Sequence, residues 1–165
     1  MELFALSEWE LITRLTFAVL LGLLVGAERS RVGKRAGMRT YALVSLGSAL
    51  FVVVSGLVSF KYAQTFVFDP NRVLSQIVVG VGFLGAGMIF VHRDAVMGLT
   101  TAAGIWVTAG IGAAAGFGFY TLAAFVTFLL LFIFEVLWYV EDRFVRIAKV
   151  DGAGPDAKHH ETAEE

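Results

Sequence analysis

Long apolar segments alternate with short polar segments along this chain. A bilayer core about 30 Å thick is crossed by about 20 apolar residues of helix. Five segments meet that length, near residues 11–27, 41–60, 73–91, 99–117 and 120–140. The last two form one apolar run from Leu99 to Val140, long enough to cross twice, and Gly116 and Gly118 favour a tight turn within it. The pattern therefore predicts an all-α polytopic membrane helix bundle with five transmembrane helices.

The ends of these segments carry signals for helix starts and for topology. Asp69-Pro70 is typical of a helix start, with a capping carboxylate followed by proline in the first turn. Basic residues are concentrated in alternate loops, chiefly over residues 29–39 and after residue 142. Because cytoplasmic loops are the basic ones, we expect the N-terminus outside and the C-terminus in the cytoplasm. We also expect a transmembrane domain over 1–150 and a disordered cytoplasmic tail over the polar, acidic residues 151–165.

The composition agrees with a membrane protein and argues against several other classes. Of the 165 residues, 58% are hydrophobic and 16% are charged, and the mean hydropathy is +0.77; soluble domains have roughly 25% charged residues. The net charge of -1 provides no basic surface for nucleic acid, and the absence of cysteine excludes thiol chemistry. His159 and His160 are adjacent but lie in the expected tail, so a solvated terminus is favoured over a metal site. We expect no metal and no cofactor.

Small residues four apart indicate where the helices pack, because close backbone approach holds membrane bundles together. The first helix has Ala18, Gly22 and Gly26 at this spacing. The fourth helix carries an unbroken ladder, formed by Thr100, Gly104, Thr108, Gly112 and Gly116. The fifth helix is rich in phenylalanine and has no such ladder, so we expect it to face lipid. A glycine face also suits self-association into a homodimer or other homo-oligomer.

The third segment contains the stretch GVGFLGAG, with glycines at Gly80, Gly82, Gly85 and Gly87. Its spacing formally matches a dinucleotide-binding loop, but no strand precedes it and no acidic residue follows about 20 residues later. At about 100° per residue, Gly80 and Gly87 lie on one side of a helix, and Gly82 and Gly85 lie roughly opposite. We expect this thin helix at the centre of the bundle, or locally broken where protein surrounds it.

Charged residues near the apolar segments need partners or a route to water, since each costs about 2.5–3.5 kcal/mol at the membrane centre. Arg14 lies about a turn inside the outer interface, where its long side chain is expected to reach water. Glu135 is either partnered within the bundle or protonated. Glu28 and Arg39 lie where the first two helices enter the membrane. We expect these two to pair across the loop, chiefly as a structural contact and alternatively as a switch.

Several stretches, in this order along the chain, resemble the MgtC/SapB family of bacterial inner-membrane proteins. They are GLLVGAER at 22–29, AGMRT at 36–40 leading into LVSLGS at 43–48, DPNR at 69–72, GVGFLGAG at 80–87 and GLTTAA at 98–103 with Trp106. The family's functional polar positions, carried over residue by residue, are Glu28, Arg29, Arg39, Thr40, Asp69, Arg72, Thr100 and Thr101. Some relatives carry a folded cytoplasmic domain after the membrane part, and no function residing in such a domain is expected of this short tail.

The resemblance implies a regulatory or interaction role in growth under scarce magnesium and, in pathogens, in virulence. The best-studied example restrains the rotary ATP synthase, which is therefore a candidate protein partner. The alternative is transport of magnesium or another ion, the family's older description. A magnesium path should show carboxylates near the middle of the membrane, whereas Asp69 and Asp94 lie at opposite edges. No nucleophile, base and orienting group recur at a helical spacing, so we do not expect an enzyme.

Overall fold

The computed structural model describes residues 7–62, 69–92, 95–137 and 139, and these are mostly helical. Five α-helices follow one another: α1 (Glu8–Arg31), α2 (Met38–Lys61), α3 (Pro70–Met88), α4 (Leu99–Gly116) and α5 (Tyr120–Phe132), which continues into a π-helical turn at Ile133–Leu137. Between α3 and α4, two short antiparallel strands, β1 (Phe90–His92) and β2 (Ala95–Met97), pair in the register Phe90 with Met97 and His92 with Ala95. The expected tail over 151–165 lies outside the described residues.

The chain divides into two compact units, the first ending at Leu130 and the second beginning at Leu131. The described part of the second unit consists of residues 131–137 and 139, all of them helical. All five helices begin in the first unit, which also holds both charge clusters analysed below.

Local sequence signals set the ends of several helices. The Asp69 side chain accepts a hydrogen bond from the N–H of Asn71 at 2.9 Å, so the cap expected at α3 is present. The turn expected between the fourth and fifth helices is also present: α4 ends at Gly116, and Gly118 takes a left-handed φ of +83° before α5 begins. Glycine adopts this conformation without the steric cost that a Cβ would bring.

The third helix begins and ends earlier than the hydrophobic pattern predicts, with the same number of residues. It ends at Met88 rather than near residue 91, because the backbone turns extended at Ile89 and enters β1. The following Gly98 has a φ of +90°, and a Cβ added there would collide with the carbonyl of Met88. Left-handed backbone at this point lets the chain reverse into α4 immediately after β2.

Within the described residues, four helices are long and apolar enough to cross a membrane by length and composition: α1, α2, α4 and the continuous helix Tyr120–Leu137. The third helix is not among them, because its first two turns carry polar residues, namely Asn71, Arg72, Ser75 and Gln76. A fifth crossing and the orientation of the termini therefore stay predictions.

The centre of the bundle is α4, not α3. Both α1 and α2 pack against α4 and against each other, while α3 packs mainly on α4 and less on α2. Small residues around α4 allow this approach from several sides; buried ones include Ala102, Gly104, Ala109, Gly112, Ala113, Ala115 and Gly116. The expectation of a central third helix was wrong, since Val79 and Phe83 on α3 are among the most exposed apolar side chains. In α5, Phe125 and Phe128 are exposed, as a lipid-facing helix requires.

Candidate functional site

A buried ion pair lies at the C-terminal end of α1. The guanidinium of Arg29 donates hydrogen bonds from Nε and Nη2 to the two carboxylate oxygens of Glu28. Glu28 is 9% exposed and Arg29 is 4% exposed. Taking both charges out of water is costly, and the two-point pairing offsets much of that cost. Ionisable residues held inside a membrane protein mark a candidate functional site.

Tyr41 on α2 lies near this pair. Its side chain is fully buried and lies within electrostatic range of both Glu28 and Arg29. Its hydroxyl donates a long hydrogen bond of 3.4 Å to the main-chain carbonyl of Thr101 on α4. Glu28, Arg29, Tyr41 and Thr101 are referred to below as the loop-end cluster. The cluster joins α1, α2 and α4 at the end of the bundle where the loop between α1 and α2 lies.

The loop beside this cluster is held in place from both sides. A Cβ added at Gly26 would lie 2.5 Å from the Cα of Met38, so α1 and the start of α2 meet at backbone distance. The Ser30 hydroxyl accepts a hydrogen bond from the Met38 N–H at 3.2 Å, which satisfies a donor at the start of α2. The Arg35 guanidinium lies 4.5 Å from the centre of the Phe90 ring in β1. These contacts connect the loop to the strand pair.

A second cluster surrounds the buried Arg14 side chain near the N-terminal end of α1. The Nε atom of Arg14 donates to Glu10 at 3.2 Å, and Nη1 donates to the main-chain carbonyl of Gly116 at 3.0 Å. The Tyr120 hydroxyl donates to the same Glu10 oxygen at 2.7 Å. Glu10, Arg14, Gly116 and Tyr120 are referred to below as the Arg14 cluster. It joins α1 to the end of α4 and the start of α5.

Arg14 does not extend to water, contrary to what its depth in the sequence suggests; it is 4% exposed. The turn between α4 and α5 covers it, and a Cβ added at Gly118 would lie 3.0 Å from its Nη2 atom. The last carbonyls of a helix lack partners within that helix and carry partial negative charge. The carbonyl of Gly116 therefore binds the guanidinium. No feature of the sequence predicted that the turn at Gly116, which lies 102 residues after Arg14 in the chain, would cover this side chain.

The polar positions implied by the family resemblance fall into three groups. Three are buried in the loop-end cluster: Glu28, Arg29 and Thr101. Three lie in the first turns of α2 and α4 and are exposed or half-buried: Arg39, Thr40 and Thr100. Two are exposed at the start of α3: Asp69 and Arg72. Sequence reasoning missed Tyr41, whose only signal was an aromatic hydroxyl inside an apolar helix.

The expected pair between Glu28 and Arg39 is not formed. The Glu28 carboxylate binds Arg29, its neighbour in the chain, and Arg39 is exposed. Adjacent side chains leave a helix about 100° apart, so helical spacing did not suggest this pair. It forms because both side chains are buried together.

The glycines predicted to lie at helix contacts have different surroundings. At three of these glycines, an added Cβ would meet main-chain atoms of α2 or of Gly37, the residue before α2. They are Gly22, Gly26 and Gly112. Gly104 is buried, and a Cβ at Gly85 would lie 3.7 Å from the Cβ of Ala102. A Cβ would have no neighbour within 4 Å at the other three: Gly80, Gly82 and Gly87. A packing role for these last glycines stays a prediction.

In the part of the chain that the structure describes, no three or more His, Asp or Glu side chains lie close enough together to hold a metal ion. The Glu28 carboxylate binds Arg29, and Asp69 caps α3. Glu135, in the second unit, has an interaction partner. The adjacent histidines, His159 and His160, lie outside the described residues.

A family model described as the MgtC family matches residues 15–143, which include the whole loop-end cluster. The chain belongs to the MgtC family. With four helices apolar enough to cross a bilayer, this MgtC-family chain is a multi-pass protein of the bacterial inner membrane.

Curated relatives of this MgtC-family chain include proteins of three bacteria. The putative magnesium transporter YhiD of Escherichia coli K12 is 44% identical over 129 residues, covering 77% of this chain and 60% of the relative. Protein MgtC of Brucella abortus strain 2308 is 51% identical over 89 residues, covering 54% and 35%. Protein SrpB of Synechococcus elongatus is 42% identical over 102 residues, covering 57% and 56%. The chain thus spans about three fifths or less of these relatives' lengths. No solved structure matches it.

Proposed function

We propose that this MgtC-family chain is a regulatory membrane protein that acts in magnesium-limited growth by binding another membrane protein. The observation that carries the proposal is the close packing of the helices in the region between the two charge clusters. A Cβ at Gly112 would overlap the main chain of Ser45, and one at Gly22 would lie 2.7 Å from the carbonyl oxygen of Tyr41. Helices in backbone contact form a stable scaffold and leave little room between them for a hydrated ion.

The polar groups of the bundle also favour a scaffold. Magnesium loses its waters reluctantly and requires oxygen ligands in octahedral geometry. Among the described residues, the carboxylate at the loop end binds Arg29, and the buried hydroxyls of Ser45 and Thr108 donate to main-chain carbonyls. Groups committed in this way do not offer a moving ion a row of ligands.

Transport of magnesium or another ion is the second candidate. It is favoured by the name of the E. coli relative, a putative magnesium transporter. A path along a broken third helix was the most direct route for an ion, but α3 is a continuous helix from Pro70 to Met88. This continuity supports regulation over transport.

A candidate partner is the rotary ATP synthase, which the family resemblance implies. The loop-end cluster suits a docking role because it fixes a charged centre beneath an exposed surface. Arg39 and Thr100 are exposed in the first turns of α2 and α4, two of the three helices that the cluster joins. A partner in the same membrane would meet these side chains on a surface held rigid by the buried pair.

Two measurements on the same protein separate the candidates. One follows magnesium influx into liposomes that contain a trapped magnesium-sensitive dye; the other follows ATP-driven acidification of inverted membrane vesicles with and without the chain. Regulation predicts influx equal to that of protein-free liposomes and slower acidification when the chain is present. Glu28→Gln should restore acidification, while Lys34→Gln, in the exposed part of the same loop, should behave like the unaltered chain.

The opposite results would redirect the proposal. Saturable magnesium influx that is lost in Glu28→Gln would establish transport. Acidification that does not respond to the chain would remove the ATP synthase as its partner.

A further inference from the structure

A groove lies between α2 and α3 on the surface of the bundle. Because α3 packs mainly on α4, it leaves a cavity of about 850 Å³ beside α2. Gly47 and Gly80 line it from the two helices, and a Cβ at either position would have no neighbour within 4 Å. Phe51 and Phe83 also line it and are 63% and 81% exposed. Glycines thus leave open space between bulky aromatic side chains.

The lining of this groove changes along its length. Polar side chains, Ser55 on α2 and Arg72 and Gln76 on α3, lie toward the end where α2 finishes and α3 begins. From there to Leu43 and Leu84 the lining is apolar apart from one serine. At 1.5 Å per residue, the helix from Arg72 to Leu84 rises about 18 Å. One leaflet of a bilayer has a hydrocarbon layer about 15 Å thick, so the whole groove is about as long as one leaflet, with a polar end and an apolar track beyond it.

We propose that this groove binds a diacyl phospholipid with an anionic headgroup. The phosphate would pair with the guanidinium of Arg72, which is exposed at the polar end of the groove. Arginine matches phosphate oxygens with two parallel hydrogen bonds, and such pairs are stronger than neutral ones. The acyl chains would lie along the apolar track between α2 and α3. The volume falls within the roughly 300–1,000 Å³ typical of ligand sites.

The order of polar and apolar groups along the groove favours a phospholipid over a helix from a second copy. The Arg72 guanidinium at one end suits an anionic headgroup, and the apolar lining beyond it suits acyl chains.

Titration of the full-length, delipidated protein with phospholipid, followed by native mass spectrometry, tests the headgroup contact. Phosphatidylglycerol should bind more tightly than zwitterionic phosphatidylethanolamine. Arg72→Gln should lower the affinity for phosphatidylglycerol about fivefold, the effect of one basic residue at an anionic membrane surface, and should remove the preference. Lys61→Gln changes a basic residue at the same end but outside the groove lining, and should lower the affinity less than Arg72→Gln does.

Gly80→Leu tests the groove itself. The new side chain enters open space, so the fold is retained, and affinity for phosphatidylglycerol should fall at least tenfold. Gly82→Leu is the matched control, because its surroundings are equally open but it lies outside the groove lining. Equal binding by Gly80→Leu and the unaltered protein would overturn the proposal, as would equal losses in the two leucine variants.

A third outcome concerns a second copy of the chain. If the unaltered protein is a dimer that Gly80→Leu dissociates without loss of phospholipid affinity, a second copy covers the groove and the lipid proposal is wrong. The readout involves neither magnesium flux nor the ATP synthase, so this proposal and the proposed regulatory function can fail separately.

Discussion

Replacing Gly112 by alanine tests whether the contact between α2 and α4 holds the bundle together. Gly112 lies against the main chain of Ser45, and an added Cβ would be 2.7 Å from both the Cα and the carbonyl carbon of that residue. Carbon atoms in contact are normally about 3.5–4.0 Å apart. The two helices would therefore have to separate by about 1 Å. Because the obstacle is main chain, no change of rotamer relieves it.

The expected magnitude follows from this geometry. Overpacking a close contact costs about 1–3 kcal/mol, and a main-chain obstacle places Gly112→Ala near 3 kcal/mol. Separation would also disturb a neighbouring approach, where a Cβ at Gly116 would lie 2.8 Å from the Ala49 carbonyl oxygen. Gly110→Ala is the matched control, because nothing lies within 4 Å of that position on the same helix. Both variants gain about 1 kcal/mol of helix propensity, so the difference between them isolates the contact.

Reversible unfolding in mixed micelles of dodecyl maltoside and SDS, followed by tryptophan fluorescence, measures the free energy of unfolding. We expect Gly112→Ala to be less stable than Gly110→Ala by about 3 kcal/mol, a change of more than a hundredfold in the unfolding equilibrium. If the two variants unfold within about 0.5 kcal/mol of each other, α2 and α4 do not approach this closely in the protein and the reasoning fails.

Three further substitutions use the same measurement. Arg14→Leu removes a salt bridge and leaves a buried main-chain carbonyl without its donor, and should cost about 3 kcal/mol. Glu28→Gln replaces the carboxylate of a buried ion pair by a neutral amide and should cost about 3 kcal/mol, whereas Lys34→Gln, on the exposed loop, should change stability by less than about 0.5 kcal/mol. Gly98→Ala should lower the free energy of unfolding more than Gly33→Ala, because both positions have positive φ but only a Cβ at Gly98 collides with main chain. Gly33→Ala should cost only the left-handed backbone penalty of about 1–2 kcal/mol.

Each of these has a result that would contradict it. A loss below about 1 kcal/mol for Arg14→Leu would mean that the side chain reaches water after all. Equal stability of Glu28→Gln and Lys34→Gln would argue against the buried ion pair. Equal losses at Gly33 and Gly98 would mean that φ alone, and not the collision, sets the cost at both positions.

The approximate positions of the helices were predictable from the sequence because they depend on local properties. The Asp69-Pro70 cap and the turn at Gly118 each act over a few residues, and each is present in the structure. The third helix ends earlier than expected because the chain pairs β1 with β2 after Met88, and this pairing involves residues later in the chain, up to the left-handed Gly98. Hydropathy alone does not distinguish such a strand from the end of an apolar helix.

The partners of the buried charges were not predictable in this way. Arg14 binds the carbonyl of Gly116, which belongs to another helix, and Tyr41 reaches Thr101 across the bundle. A charge inside an apolar segment indicates that some partner is needed. Which group supplies it depends on how the helices are arranged.

The sequence by itself indicated a membrane helix bundle, the approximate positions of its helices, and which charges required an explanation. Only the tertiary structure decided that α4 is central, that Gly112 packs while Gly80 stays open, and that Glu28 binds Arg29 rather than Arg39. The physical reason is that lipid and protein interior are equally apolar. Helices such as α2 and α4 are nearly evenly apolar around their circumference, so the pattern does not indicate which face meets protein. Small residues permit close approach, but the arrangement of the neighbouring helices determines where it occurs.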